Sequence, residues 1–243
     1  KTNSKIALLY PENSYGYRVN SLIDDIAQKS NSVIINRASY SEDLTNVREA
    51  IKELGKYELR KYELNRQKKI LESKQDEKSK KRLKKLEKFN TTTDLEFTHI
   101  IIPDYGIRLL QVAPLLPYYD IDPNLVQFVG TGVWDDPAFF TEPSLQGAIF
   151  PGIEASKRST LLEEYNSVYN KKLMRISTLP YDLIGLLNYM FEKEFSIINA
   201  HDLLNSQKIK FDGIDGKFYF ANNIIERELH ILKIENGNAK KIN

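Results

Sequence analysis

Cysteine is absent from this chain of 243 residues, which removes disulfide frameworks, thiolate nucleophiles and cysteine-ligated metal sites together. The redox compartment stays open. Histidine is scarce: His99, His201 and His230 stand alone, without the paired spacing that zinc sites use. No apolar run approaches the ~18 residues of a membrane span, and no signal peptide or lipid-attachment motif is visible. A G-x-S-x-G nucleophile elbow and a P-loop are both missing. The sole Gly-x-Gly, Gly130-Thr131-Gly132, lacks the third glycine of a dinucleotide loop and leads into Trp134-Asp135-Asp136-Pro137 rather than a helix. The adjacent carboxylates Asp24-Asp25 and Asp135-Asp136 suit a helix surface and a turn or helix cap better than shared acid–base work. These gaps point to a non-catalytic chain with neither cofactor nor metal. The first residue is Lys1, so the expectation is a processed product or a fragment.

What is present falls into two charge regimes. Residues 52–90 hold fifteen Lys and Arg against seven Asp and Glu, and the rest of the chain holds twenty against twenty-six. The formal charge of +2 is thus a small difference between a basic insertion and an acidic body. Within the insertion, Glu58, Glu63, Glu72, Asp76, Glu77 and Glu87 interleave with the cations, a pattern of solvated helix or protein-docking arm rather than of nucleic-acid contact. Helix formers dominate it, with Gly55 as its one glycine, and Tyr57, Leu64 and Leu71 recur seven apart before Leu83, Leu86 and Phe89. Ser73–Ser79 is the expected break. The predicted form is a helical hairpin with arms near 44–73 and 77–89, a continuous helix being the alternative.

Around the insertion, short apolar runs alternate with helical periodicity. Lys5–Tyr10, Ser32–Asn36, Phe97–Ile102, Val126–Gly130 and Gly147–Phe150 read as buried strands. Helices are expected over Val19–Ala27, from Leu44 onward, over Leu109–Leu116, and near 155–170, 179–194 and 199–206. The tail reads as Phe218–Phe220, a turn at Asn222-Asn223, and a strand over Arg227–Ile234. Such alternation implies a layered α/β fold around a parallel sheet. His99, inside an apolar run, is expected to pack as a structural residue.

The order of elements then meets specific words. KIALLYPENSYGYRVN at 5–20 resembles the strand–turn–helix that opens the second lobe of type I periplasmic binding proteins, with Tyr15-Gly16 facing the cleft. APLLPYYDIDP (113–123), GTGVWDDP (130–137), EPSLQGAIFP (142–151) and FDGIDGKFYF (211–220) resemble the alphaproteobacterial penicillin-binding-protein activator family, which is leucine-binding-like and carries a charged helical insertion at this place. The resemblance implies doubly wound α/β lobes joined by hinge crossings, with the first lobe largely missing here. Residues 1–150 would form the second lobe with a 56–90 hairpin insertion. Residues 151–208 would be helices of the incomplete first lobe, exposing apolar surface, and 209–243 would return as strands to the hinge. The resemblance carries over Tyr15, Asp104, Tyr105, Thr131, Trp134 and Asp135 as the ligand-cleft candidates, and these positions follow the carboxyl ends of strands, where α/β sheets bind ligands. Amino-acid-binding relatives place an acidic residue where this chain has Gly132, with Asp135 displaced along the loop, which argues against an amino-acid ligand. The implied role is a periplasmic regulator, tethered to the outer membrane as a lipoprotein, that activates a bifunctional penicillin-binding protein. The rival is a solute receptor that feeds an amino acid or similar small molecule to an ABC transporter. Neither reading involves nucleic acid, and the membrane enters only through a lipid anchor outside this chain.

Overall fold

A computed structural model of the chain describes residues 4–74, 76–153, 156–194, 209–221 and 224–242, with positions 196, 199, 201, 202 and 204. It separates into two units, Lys1–Ile149 with Ile234–Asn238, and Phe150–Lys233 with Ala239–Asn243.

In the first unit, β1 (Lys5–Pro11), β2 (Val33–Tyr40), β3 (His99–Ile101), β4 (Gln127–Val129) and Ile149, the first residue of β5 (Ile149–Gly152), are mutually parallel and run in the order β5-β4-β3-β1-β2. Ala7, Leu8 and Leu9 of β1 are fully buried, as are Ile100 of β3 and Phe128 of β4. A strand covered on both faces has no polar side, which explains why these segments read as unbroken apolar runs. The second strand extends to Tyr40, past the predicted end at Asn36. As the edge of the sheet it alternates instead: Arg37 is exposed while Ala38 and Tyr40 are buried.

Helix α1 (Ser14–Lys29) starts where the Asn13 side chain accepts from the Gly16 N–H at 2.9 Å. A Cβ on Gly16 would lie 2.0 Å from the Pro11 carbonyl oxygen, so only glycine lets the helix begin this close to the strand end. Ile23 and Ala27 of α1 are buried and Ile26 is exposed. Helix α2 (Val47–Leu54) buries Val47, Ala50, Ile51 and Leu54. The predicted first hairpin arm is in fact two helices, because the chain turns at Gly55 and at Lys56, whose φ is 49°. The hairpin itself is α3 (Tyr57–Ser73) and α4 (Glu77–Leu86), and it settles the choice against a continuous helix. Asp76 caps α4 by accepting from the Ser79 N–H at 2.9 Å. Beyond it come α5 (Gly106–Val112), α6 (Leu115–Tyr118) and α7 (Pro137–Phe140), the last capped by Asp136 through the Ala138 N–H.

Arg60 fastens the hairpin to the sheet unit. Its buried guanidinium donates to Gly55 O (2.7 Å), Thr91 Oγ1 (2.9 Å), Thr92 O (2.9 Å), Tyr119 O (3.2 Å) and Asp120 O (3.2 Å). All are neutral oxygens. Burial lowers its pKa, and the nearby Asp120 charge opposes that, so the cation persists and its donors are satisfied.

The second unit contains α8 (Ser156–Tyr169), α9 (Thr178–Glu192) and an antiparallel sheet of β6 (Phe211–Gly213), β7 (Gly216–Ala221) and β8 (Ile224–Arg227). Leu186, Met190 and Phe218 form its core, with Leu204, Phe211 and Phe220 against them. Asp182 of α9 accepts from the Ile214 N–H at 2.6 Å and pairs with Arg227 at 2.8 Å. Ile184 and Phe191 on the same helix are exposed. The expected long strand over 227–234 is interrupted at Glu228-Leu229, giving β8 and then β9 (His230–Glu235), which forms a hairpin with β10 (Asn238–Lys241). Backbone bonds from Gly147 to Ile234 (2.8 Å) and from Ile234 to Ala148 (2.9 Å) set the end of β9 beside β5. The predicted turn at Asn222-Asn223 and much of the predicted helix at 199–206 lie outside the described residues.

Arg60→Met keeps the apolar stem but strands several buried oxygens, and should lower unfolding free energy by about 2 kcal/mol while speeding amide exchange at residues 91–92. An unchanged urea midpoint would remove Arg60 from its anchoring role. His99 is half-buried in β3, and burial holds its imidazole below the ordinary value. Its neutral form therefore favours folding above about pH 6.5, and that contribution is lost as pH falls through the lower folded-state value. Urea midpoints measured at several pH values should show this acid loss flattened in His99→Gln.

Candidate functional site

The carboxyl ends of β1 to β4 open on one edge of the sheet, where α/β folds take ligands. Each strand end supplies side chains by the same logic: the extended backbone stops at a turn residue, and the next few positions face out of the sheet. After β1 these are Asn13 and Tyr15, after β2 Glu42, after β3 Asp104, Tyr105 and Arg108, and after β4 Thr131 and Trp134.

Asp104 is the centre of the arrangement and is fully buried. Its carboxylate accepts from Tyr40 Oη (2.6 Å), the Tyr105 N–H (2.8 Å) and Arg108, whose Nε and Nη2 lie 2.7 to 2.9 Å from it. Its backbone carbonyl accepts from Trp134 Nε1 at 3.1 Å. Burial, then the Asp104 charge, pushes the Tyr40 phenol well above its ordinary range, so it serves as a donor throughout the physiological range. The bond to Asp104 raises Arg108 likewise. Arg108 also reaches Glu42 Oε1 at 3.3 Å, and Asn13 Nδ2 donates to the same oxygen at 3.0 Å.

Above this buried layer sits a neutral aromatic one. Tyr15 Oη donates to Thr131 Oγ1 at 2.7 Å, and the Tyr15 and Tyr105 rings meet edge to face with centroids 6.0 Å apart. The Arg108 guanidinium lies 5.8 Å from the Tyr105 ring centre. Tyr105 and Glu42 are exposed, and Tyr15 and Thr131 are half-buried.

The six sequence candidates thus divide. Tyr15, Tyr105 and Thr131 come together on the accessible edge. Asp104, Trp134 and Asp135 are buried. Trp134 packs onto Gly130, where a Cβ would lie 2.0 Å from its ring. Sequence reasoning missed Tyr40, Glu42 and Arg108. Arg108 stands four residues after Asp104 at the start of a helix, a legible ion-pair spacing. Glu42 and Tyr40 were hidden by ending the second strand too early. Elsewhere in this unit a groove of about 630 Å³, lined in part by Phe89, Pro117, Asp120 and Pro143, lies apart from these residues. Among the described residues no group of three or more His, Asp or Glu could hold a metal ion.

No family model matches the sequence, and no curated protein matches it. Solved structures do. A putative branched-chain amino acid ABC transporter protein from Rhodospirillum rubrum superposes with a TM-score of 0.65 at 10% identity, over 99% of this chain and 61% of its own. The substrate-binding protein of an ABC transporter from Desulfitobacterium hafniense, solved with Leu, gives 0.57 at 15% identity over 99% and 60%. A solute-binding protein from R. palustris in complex with benzoate gives 0.59 at 10% identity over 99% and 58%.

The fold is the type I periplasmic-binding-protein fold. This chain spans about 60% of the length of those structures. At such identities the likeness concerns architecture, a mostly parallel α/β sheet with helices around it.

If Asp104 organises this edge, Asp104→Asn should lower unfolding free energy by about 3 kcal/mol, because it leaves Arg108 partly buried without its carboxylate. Tyr40→Phe should lower it by about 1 kcal/mol. Chemical denaturation followed by Trp134 fluorescence checks both, and the reverse order would refute the assignment.

Proposed function

We propose that this chain is part of a non-catalytic binding protein that takes a small ligand at the Tyr15–Tyr105–Thr131 edge, as the solute-binding component of an ABC transporter. The observation that carries this is the convergence of side chains from four parallel strand ends, with Asp104 and Arg108 spent on each other and neutral hydroxyls and rings left facing outward. Such a surface suits a ligand with a flat or apolar body and a hydrogen-bonding group, rather than one gripped by charges alone. Glu42, exposed and already bonded to Asn13 and Arg108, is a carboxylate placed to meet a ligand amine or hydroxyl, with Glu12, exposed after β1 and bonded to Ser39, also on this edge. The structural neighbours solved with Leu and with benzoate support a small-molecule role and suggest the first probes. A periplasmic location accords with them.

A second reading has its own observation. The α3–α4 hairpin stands away from the strand ends on an Arg60 anchor and carries six Lys and Arg within the ten residues of α4. A protein-docking arm of this kind fits a lipid-anchored scaffold that stimulates a bifunctional penicillin-binding protein, as GTGVWDDP and EPSLQGAIFP suggest. The chemistry of peptidoglycan synthesis would then belong to the partner.

Calorimetric titration with leucine, benzoate and 3,4-dihydroxybenzoate separates the two. Binding of one probe, weakened about fivefold by Tyr15→Phe and by Thr131→Val, is the expected result. Failure of all three, with recovery of a peptidoglycan synthase from an envelope extract by the intact chain and not by a form with residues 57–89 replaced by a short linker, would move the assignment to the scaffold.

A further inference from the structure

Helix α3 has two apolar faces. One is spent: Arg60 and Leu64 are buried, and Leu71 is half-buried toward α4, where Leu83 and Leu86 are half-buried in turn. The opposite face is open. Leu59, Tyr62 and Ile70 are 57%, 64% and 48% exposed, and with Arg66 they occupy about 80° of the helix circumference at 100° per residue. Three large apolar side chains on one face of a protruding hairpin form a seam without a cover among the described residues.

The charges along this seam say what fits it. The cationic excess of the hairpin sits on α4, whereas the outer face of α3 is balanced, with Glu58 and Glu63 against Arg66 and Lys69. The seam is also self-complementary. A two-fold axis crossing the helix between Leu64 and Asn65 sets Leu59 opposite Ile70 of a second copy and Glu63 opposite Arg66 of that copy. Glu58 then faces Lys69 within about 3 Å of axial offset. In the single chain Arg66 and Glu63 already pair within the helix at 2.9 Å, so both side chains point along the seam. Antiparallel helices related by a two-fold axis give an isologous contact, in which each pair occurs twice.

We propose that the outer face of α3 is a homodimer contact, formed by antiparallel pairing of Leu59, Tyr62, Glu63, Arg66 and Ile70 with the same residues of a second copy. An anionic surface would match α4 but leaves the balanced charges of α3 unexplained. One helix pair is a small interface, so association is weak and concentration-dependent. This inference is independent of the ligand reading.

Sedimentation velocity of the whole chain over a roughly hundredfold concentration range should show monomer passing to dimer. Leu59→Glu/Ile70→Glu should abolish dimer. Glu63→Arg, which places like charges opposite each other twice, should weaken it about tenfold, and Glu63→Arg/Arg66→Glu should restore it. That restoration separates a lost contact from a damaged fold. A monomer at every concentration overturns the proposal, as does a dimer indifferent to these variants or a failure of the charge swap to rescue. Binding of the monomeric chain to phosphatidylglycerol vesicles, lost in Tyr62→Glu, would assign the face to a membrane and equally overturn it.

Discussion

A fully buried carboxylate cannot stand alone, and that constraint organises the sheet edge. Asp104 sits where β3 ends, and its oxygens must be met by donors. Tyr40 comes from the end of β2, Arg108 from the first turns of α5, and the Tyr105 amide from its own chain. The carbonyl of the same residue draws in Trp134 from the loop after β4. One residue thereby ties three strand ends and a helix into fixed relation. It also decides the chemistry of the surface, since the acid and the base nearest the edge are spent on one another. What remains outward includes tyrosine, threonine and the exposed glutamates Glu12 and Glu42.

Arg60 plays a comparable part for the insertion. A protruding hairpin gains little stability from exposed Lys–Glu pairs, which are worth only tenths of a kilocalorie each. The buried guanidinium instead binds both ends of the insertion, at Gly55 and at Thr91-Thr92, and the loop at Tyr119-Asp120. The two devices follow one rule: a polar group placed in the interior holds several backbone segments at once, because every donor or acceptor left unmet is costly. The second unit repeats it, with Asp182 joined to Arg227 and to the Ile214 amide.

Much of the fold was legible because inner parallel strands have no wet face. Ala7-Leu8-Leu9 and Ile100 announce themselves as apolar runs, and helices between them follow from periodicity. The apolar run of the edge strand β2 ends at Asn36 because edge strands alternate, and that hides Tyr40 and Glu42 from a reading of apolar runs. Composition alone predicts one helix for the first hairpin arm, because nothing in it shows that Lys56 adopts a left-handed conformation. Of the residues at the strand ends, the family resemblance together with position after a strand singles out Tyr15, Tyr105 and Thr131, which the structure sets side by side on the accessible edge. The same rule also gathered Asp104 and Trp134, because position along the chain does not distinguish a side chain that turns outward from one that turns into the core.

By itself, then, the sequence determined the layered parallel sheet, the presence and charge of the helical insertion, and the lack of thiol chemistry, all local or compositional properties. Tertiary structure alone decided which polar residues are spent and which are offered. Asp104 meets Tyr40 across 64 positions of sequence and Tyr15 meets Thr131 across 116. Pairings at that range depend on how the strands are ordered in the sheet, and no spacing along the chain encodes that order.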